Sequence, residues 1–591
     1  MITMVSVGSS MRAFLKTHRI AIFLTIVVGI ITGLPTILAP LALGSGYHGI
    51  PFLPLSDEYH YFARIQEILD GHWSNASTFL YEYKNMPTTM YAVNETLYAI
   101  PALILGIIPI VIASKFVLPA VLFFLSYLLL FRMFRKDDGG ELTAIAAALF
   151  VVLGAEFVNY SYLMRIPTLW LFQESQWTRL VNPIVGAVQL TGFLILLWQG
   201  GDRKWRYAYI AAGVLLASMV GYIFTFALSL AILGALFVFA LARREYDIAK
   251  KFFFVGCIST ILDSLWWYVM LTTLGGEAGR LIATQSGMAF THAPVLNKAV
   301  LAASVLFALF FCYTYFYLKD RGRIREWFFA ASLLVGSWIA FNQQIITGRE
   351  VWYPHFVQYT VPLCVLALIS AGHLALHRHK LLWQVSMYAL CVITLGYGIL
   401  SVSSYASLGD MQYFAQNQSP AGYSPWLNMN AKKDCVVLVN VNDEYLEYEE
   451  RLIPTFSHCN TYTVNDPVLA MTEERNEHNF LLQLQMRDID IAHVRDYLVA
   501  DQVDVRGHFY SDFSQAFGKG MEPWIVNRID ALTADYKAFV QVPLETNIKK
   551  YRADYLLSDG PLQEHLRRAL PNLTLATTTQ GYYLYTFPEA R

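Results

Sequence analysis

Long uncharged apolar runs alternate with short polar turns over about two thirds of the chain. The first run extends from Ile20 to Leu43, and its 24 residues are enough to cross a hydrocarbon core about 30 Å thick. Further runs follow at 97–114, 116–134, 141–159, 181–199, 207–224, 225–242, 252–274, 297–318, 327–346, 355–375 and 382–403. The pattern predicts a polytopic α-helical membrane domain over 1–403 and a soluble domain over 404–591.

Composition agrees with a chain that lies mostly in lipid. Of 591 residues, 55% are hydrophobic and only 15% are charged, whereas soluble proteins carry about 25% charged residues. The mean hydropathy is +0.40. Because the formal net charge is −1, no overall basic field favours a nucleic-acid partner. These values exclude disordered, collagen-like and ordinary cytosolic proteins.

Basic clusters between the runs predict how the chain is oriented. Arg12, Lys16 and Arg19 precede the first run, which is too long for a cleaved signal peptide and is interpreted as an uncleaved anchor. If segment 97–114, with its two prolines and one glycine, is interfacial or re-entrant, every later basic cluster falls inside. We therefore expect about eleven crossings of the cytoplasmic (inner) membrane, with the N-terminus inside and 404–591 outside. Thirteen crossings give the same sidedness.

This orientation assigns function to the outer face. The outer face receives the first extracytoplasmic loop, 44–96, together with 160–180, 275–296, 347–354 and the C-terminal domain. The inner face receives only short basic turns, which cannot build a catalytic cleft.

The C-terminal region has the alternating strand and helix signals of a small α/β domain. Apolar or β-rich runs at 435–441, 461–464, 553–557 and 582–587 predict strands, and 479–499 has helical spacing. Cys435 and Cys459 lie in this region, and on the outer side of a membrane they are expected to form a disulfide.

Two adjacent carboxylates open the first outer loop. Asp57 and Glu58 begin a segment in which Phe62, Ile65 and Leu69 recur with helical spacing, so an amphipathic helix on the membrane surface is predicted. In the structural interpretation, the two acids only favour the positive end of that helix. In the functional interpretation, one is a general base or both hold a divalent cation. Neighbouring aromatic side chains, Tyr59 and Tyr61 among them, would partly bury the pair.

Cationic and amide side chains occur in two other outer segments. Segment 160–180 carries Arg165 and Arg179, against the usual charge bias of outer loops. Segment 342–356 groups four polar residues around Gly348, namely Gln343, Gln344, Arg349 and His355. A guanidinium fork matches phosphate oxygens, so anion binding is one interpretation. Contact with lipid headgroups and capped helix ends are the alternatives.

The first outer loop contains the stretch from Ser56-Asp57-Glu58-Tyr59 to Asp70-Gly71-His72, and it belongs to a predicted many-helix bundle that has an outer C-terminal domain. In this combination the chain resembles the GT-C superfamily of membrane glycosyltransferases. The resemblance covers about residues 10–403. It implies a polyprenyl-phosphate-linked sugar donor in the membrane lipid, a glycan or other hydroxyl acceptor, and transfer with inversion.

The resemblance also implies roles for particular residues. Asp57 would be the base, with Glu58 as a second acid or, with Asp57, as a ligand of a divalent cation. The donor phosphate would be bound by Arg165, Arg349 and His355. Substrate would also contact Tyr59, Tyr61, Arg179, Gln343 and Gln344.

Three competing functions remain open at this point. A polymerase or ligase that uses a lipid-diphosphate donor would need more outer cations. A transporter or flippase would place ionisable residues near the midplane, where Asp263 is the clearest example. A non-catalytic assembly factor would work through its C-terminal domain.

Overall fold

The computed structural model describes most of the chain with side chains. The described residues are 12–54, 56–73, 77–84, 86, 91–155, 175–200, 205–275, 292–320, 322–348, 354–406, 408–441, 443–464, 471–509 and 523–588. Two of the residues that the sequence analysis singles out, Arg165 and Arg349, lie outside these ranges.

A helical membrane region precedes a small α/β region, which confirms the predicted fold class. The helices of the membrane region are α1 Arg19–Gly33, α2 Pro35–Leu43, α3 Ser56–Leu69, α4 Val93–Leu105, α5 Ile107–Phe134, α6 Gly140–Leu149, α7 Ile184–Gln199, α8 Trp205–Ser218, α9 Ile223–Ala242, α10 Tyr246–Leu262, α11 Ser264–Gly275, α12 Lys298–Cys312, α13 Ile324–Phe341, α14 Gln344–Thr347, α15 Pro354–Leu376 and α16 Lys380–Ser401. In the described ranges, seven helical segments are long and apolar enough to span a membrane, and a bent pair makes up to eight. Four shorter apolar helices add to the bundle. The chain is an integral membrane protein, and the number of crossings stays a prediction.

The break between the second and third apolar runs lies elsewhere than the sequence pattern indicates. The pattern divides the runs at Lys115, whereas the helix break is at Gly106, which has a φ of 81°. Only glycine adopts such an angle without strain, so the break falls there. Lys115 therefore lies within the 28-residue helix α5 and is 3% exposed.

Asp263 marks a bend rather than the middle of a straight span. It separates α10 from α11, whose axes differ by 64°. Its carboxylate accepts a hydrogen bond of 2.9 Å from Ser259, one turn earlier in the chain. This local hydrogen bond at a helix break gives Asp263 a structural role.

The C-terminal region is built on one five-stranded sheet. Its strands are β1 Val436–Asn440, β2 Asn460–Thr461, β3 Tyr555–Ser558, β4 Thr574–Thr579 and β5 Tyr582–Thr586, in the order β2-β1-β3-β5-β4. β1 pairs in parallel with β2 and β3, and the pairs β3–β5 and β4–β5 are antiparallel. The helices are α17 Leu408–Gln416, α18 Pro420–Asn430, α19 Asp443–Phe456, α20 Glu473–Met486, α21 Val494–Ala500, α22 Gln502–Phe509, α23 Pro523–Phe539, α24 Leu544–Ile548 and α25 Glu564–Ala569.

Most strand predictions in this region are confirmed, and one helix prediction is wrong in its bounds. The predicted strands over 435–441, 553–557 and 582–587 correspond to β1, β3 and β5, the one over 461–464 overlaps β2 only at Thr461, and no predicted strand covers β4. The expected helix over 479–499 is two helices, α20 and α21. Asp488 has a φ of 54° just beyond the end of α20, a left-handed conformation that stops a helix.

The expected disulfide between Cys435 and Cys459 is present and joins the residue before β1 to the residue before β2. The two cysteines are 24 positions apart, so the bond restricts the unfolded chain. We expect the double variant Cys435→Ser/Cys459→Ser to lose about 3 kcal/mol of stability in this region. Thermal unfolding of the purified protein measures the loss. Cys312→Ser, which removes an exposed free thiol, is the control, and an equal fall in Tm for both variants would contradict the prediction.

The helix α3, called the surface helix from here on, is enclosed by protein. Phe62 and Ile65 are buried, and the Phe62 ring lies 5.0 Å from that of Phe456 at the end of α19. Thr455 Oγ1 donates a 3.1 Å hydrogen bond to the carbonyl oxygen of Tyr59. The expectation that this apolar face lies on lipid is therefore wrong, because the C-terminal region covers it.

Candidate active site

Asp57 and Glu58, at the start of the surface helix, point into different surroundings. Consecutive residues of an α-helix are about 100° apart around the axis, so the two carboxylates diverge. The Asp57 side chain is 44% exposed, whereas Glu58 is fully buried. Only Asp57 is open to a ligand arriving from the aqueous side.

Glu58 is held by a buried cation and a backbone amide. Its Oε2 accepts a 2.7 Å hydrogen bond from Lys115 Nζ of α5 and a 3.0 Å hydrogen bond from the backbone N–H of Leu180. The other oxygen, Oε1, has no hydrogen-bond partner among the described residues. A buried carboxylate paired in this way is an anchor for the surface helix rather than an accessible base.

Asp57 forms an ion pair with Arg179, the residue before Leu180. The Arg179 side chain is 16% exposed, and its Nε is buried without a hydrogen bond in the described structure. Tyr222 and Tyr359 are its electrostatic neighbours, and burial lowers the pKa of the guanidinium. An arginine in such a place keeps its charge and has one unused donor, as an anion-binding group requires.

Aromatic rings extend this site from Arg179 to His355. The Tyr222 ring lies 6.1 Å from that of Tyr359 and 5.1 Å from that of Phe224. The Phe224 ring is in turn stacked on His355, with centroids 4.7 Å apart and planes 13° from parallel. Asp57, Arg179 and His355 therefore belong to one contiguous cluster.

The two predicted tyrosines of the surface helix lie in different surroundings. Tyr61 is an electrostatic neighbour of Tyr222, and burial raises its pKa. It therefore keeps its proton at neutral pH and offers a hydroxyl donor near the cluster. Tyr59 is 2% exposed and packs against Tyr413 and Phe456, on the side of the C-terminal region.

The two predicted glutamines secure a neighbouring outer segment. Gln344 Nε2 donates a 3.1 Å hydrogen bond to the carbonyl oxygen of Ala293. Gln343 Oε1 accepts a 2.7 Å hydrogen bond from Thr347 Oγ1 in its own turn. The Gln344 contact holds the short helix α14 against the 292–297 segment, and the Gln343 contact closes the turn of α14 itself.

Lys115, Tyr222 and Tyr359 are site residues that the sequence analysis did not single out. A signal for Lys115 exists, because one lysine between two apolar runs is costly unless it is paired. The sequence pattern instead places Lys115 at the boundary between two apolar runs. The tyrosines carry no such signal, since aromatic residues make up 15% of the chain.

The predicted divalent cation fits this site poorly. Each carboxylate already has its own cation, Arg179 for Asp57 and Lys115 for Glu58. Two positive side chains beside the acids oppose a further dication. Among the described residues, Cys435, His458 and Cys459 are the one trio with metal-ligand spacing, and the two sulfurs of that trio are bonded to each other.

No protein-family model matches the chain, and no curated protein matches it. Among solved structures, ArnT from Cupriavidus metallidurans bound to undecaprenyl phosphate has a TM-score of 0.47 and 11% identity, over 98% of this chain and 99% of that chain. The archaeal oligosaccharyltransferase AglB from Archaeoglobus fulgidus, in complex with an inhibitory peptide and a dolichol-phosphate, has a TM-score of 0.44 and 13% identity, over 92% and 70% respectively. At TM-scores below 0.5, these likenesses leave the function to be argued from the side chains of the site.

Proposed function

We propose that this protein is a GT-C-type glycosyltransferase that moves a sugar from a polyprenyl-phosphate-linked donor to a hydroxyl acceptor outside the cytoplasmic membrane. One observation carries the proposal: an exposed carboxylate, Asp57, lies against a largely buried arginine, Arg179, at the start of the surface helix. Such a pair offers a proton acceptor and a phosphate ligand side by side.

Asp57 is the proposed base, and Glu58 is not. A general base must come within hydrogen-bond reach of the proton it removes, and Asp57 alone of the two is exposed. Glu58 is occupied by Lys115 and Leu180, so its part is to support its neighbour.

Arg179 is the proposed ligand of the donor phosphate. In the structure its charge is shared with Asp57, and a phosphodiester entering the site competes for the same guanidinium. Movement of Arg179 toward the phosphate frees the Asp57 carboxylate for the acceptor. His355 lies in the same cluster and remains a candidate for the phosphate, as do Arg165 and Arg349.

The proposed reaction is a single displacement. Asp57 takes the proton of the acceptor hydroxyl while the hydroxyl oxygen forms a bond to the anomeric carbon. The bond between that carbon and the phosphate oxygen breaks, and the polyprenyl phosphate leaves with the electron pair. Attack opposite the leaving group inverts the anomeric centre. Cationic side chains at the phosphate stabilise the charge that develops there.

The direct experiment is sugar transfer by the purified protein in lipid. Polyprenyl-phosphate donors carrying different hexoses and pentoses are offered with an envelope-glycan extract as acceptor, and released polyprenyl phosphate is measured by mass spectrometry. We expect release with at least one donor, and release at least about a hundredfold slower with the Asp57→Asn variant. A folded protein that releases no polyprenyl phosphate from any donor would refute the proposal.

The sidedness of the site is tested separately. We expect a reporter fused after residue 403 to be active outside the cytoplasmic membrane, and a membrane-impermeant reagent to reach a cysteine introduced at Asp57 in intact cells. A cytoplasmic reporter would reverse the predicted orientation.

A further inference from the structure

Lys115 is a charged residue inside an apolar helix, and only its partner makes it tolerable there. It lies eight residues after the start of α5, about 12 Å along the axis, and it is 3% exposed. A lysine in the hydrocarbon region marks function when it is paired inside the bundle. Its partner is Glu58, directly beside the proposed base.

Two adjacent contacts connect the surface helix to the segment 179–183. Asp57 pairs with Arg179, and Glu58 accepts a hydrogen bond from the N–H of Leu180. These four residues are named the carboxylate clamp. The contact between Asp57 and Arg179 is partly exposed and joins two side chains. The contact between Glu58 and Leu180 is buried and joins a side chain to a backbone amide.

Lys115 joins the carboxylate clamp to the membrane bundle at a single atom. Glu58 Oε2 accepts from both Lys115 Nζ and the Leu180 amide, so one oxygen links α5, the surface helix and the 179–183 segment. The Val181 amide donates to Tyr98 Oη of α4 at 3.2 Å, and Asn182 accepts from Asn94 of α4 at 3.0 Å. The 179–183 segment is thus fixed at consecutive residues.

We infer that Lys115 is a positioning residue, which acts through Glu58 to hold Asp57 and Arg179 opposite each other. The inference rests on the proposed function for its catalytic meaning, but not for its geometry. Without the ammonium group, a buried carboxylate must take a proton or move toward water. Either change weakens the charge-assisted bond to the Leu180 amide and releases one side of the carboxylate clamp.

Cross-linking tests the geometry without any enzymatic activity. Cysteines are introduced by Asp57→Cys and Arg179→Cys in the full-length protein, and a short bismaleimide joins them. Mass spectrometry of the linked peptides gives the rate. We expect Lys115→Met to lower the rate about tenfold and Lys115→Arg, which keeps the charge, to leave it within about twofold. An unchanged rate in the folded Lys115→Met protein would overturn the inference.

Asp137→Asn is the matched control for general loss of stability. Asp137 pairs with Arg323 and accepts a 3.0 Å hydrogen bond from His373, so this change also removes a charge from an ion-paired network. It follows the far end of α5, roughly 30 Å from Lys115 by helical rise. Cross-linking between positions 57 and 179 should remain as in the unaltered chain.

A pH profile of activity distinguishes a positioning role of Lys115 from a variant in which a smaller fraction of the protein is active. Arg179 beside Asp57 favours the ionised base, so loosening the pair should move the acid limb of kcat/KM to higher pH in Lys115→Met. A purely structural defect lowers activity at every pH and leaves the limb in place, which would count against the inference. Asp137→Asn should leave the limb unmoved.

A background variant shows whether Lys115 acts through Glu58. In the Glu58→Gln background, adding Lys115→Met should lower the cross-linking rate no further, because the negative charge of Glu58, which Lys115 holds in place, is already absent. The double variant Glu58→Gln/Lys115→Met, in which both side chains are neutral, also provides a folded protein if Lys115→Met alone does not fold. A second, independent loss would overturn the route through Glu58. If the unaltered chain transfers no sugar, the proposed function fails, and the cross-linking rates still decide the positioning role.

Discussion

Asp57→Asn should lower kcat for sugar transfer by at least about a hundredfold, since general-base catalysis typically contributes factors of 10² to 10⁴. Asparagine keeps the size of the side chain but cannot take the acceptor proton. The change also releases Arg179 from its ion pair, so the KM for the donor should stay level or fall. Steady-state kinetics with a polyprenyl-phosphate donor measures both constants.

The control for this change is Asp70→Asn. Asp70 follows the surface helix, roughly 20 Å from Asp57 by helical rise, so its loss should leave kcat unchanged. The Asp57 ion pair is partly exposed, and such pairs contribute about 0–1 kcal/mol, so the variant should fold normally. Equal rates for Asp57→Asn and the unaltered protein would remove Asp57 as the base.

Arg179→Gln should raise the KM for the donor and lower kcat by roughly a hundredfold or more. The first effect comes from the lost phosphate contact, and the second from the missing charge at the departing phosphate. Arg179→Lys should recover part of kcat, because lysine restores the charge but not the planar fork. The KM shift is thus opposite to that expected for Asp57→Asn, and the two roles can be told apart in one data set.

Arg243→Gln is the matched control for the arginine variants. Arg243 pairs with Glu245 at 2.8 Å beyond the end of α9, and it is also partly exposed. Its loss removes a comparable ion pair from the predicted inner side. A change in donor KM as large as that of Arg179→Gln would show that the effect is not specific to the site.

The architecture was predictable because lipid imposes a simple rule on sequence. Apolar runs long enough to span a bilayer predict the helical membrane region, and buried strands such as β1 stand out by their valines and leucine. The position of Asp57 at the start of a helix also follows from local pattern. The helix break at Gly106 does not, since one glycine among apolar residues gives a weak signal beside a lysine.

The organisation of the site depended on contacts that no local pattern contains. Glu58 and Leu180 are 122 positions apart, and Asp57 and Arg179 are equally far apart in sequence. Adjacent acids look alike in a sequence, and only tertiary packing makes one an anchor and leaves the other exposed. The covered face of the surface helix could not be foreseen either, because a segment amphipathic enough for a membrane surface is equally suited to a protein partner.

The contact between the C-terminal region and the surface helix has a consequence for how such a protein can be divided or recombined. Gln418 accepts hydrogen bonds from the amides of His48 and Ile50 and donates one to the Ile50 carbonyl, and the Phe456 ring packs on the helix that bears the two acids. A chain shortened at residue 403 would leave that helix with its apolar side bare. The C-terminal region is thus part of the structure that holds Asp57 and Glu58 in place. A C-terminal region taken from another protein would need a surface that matches the surface helix.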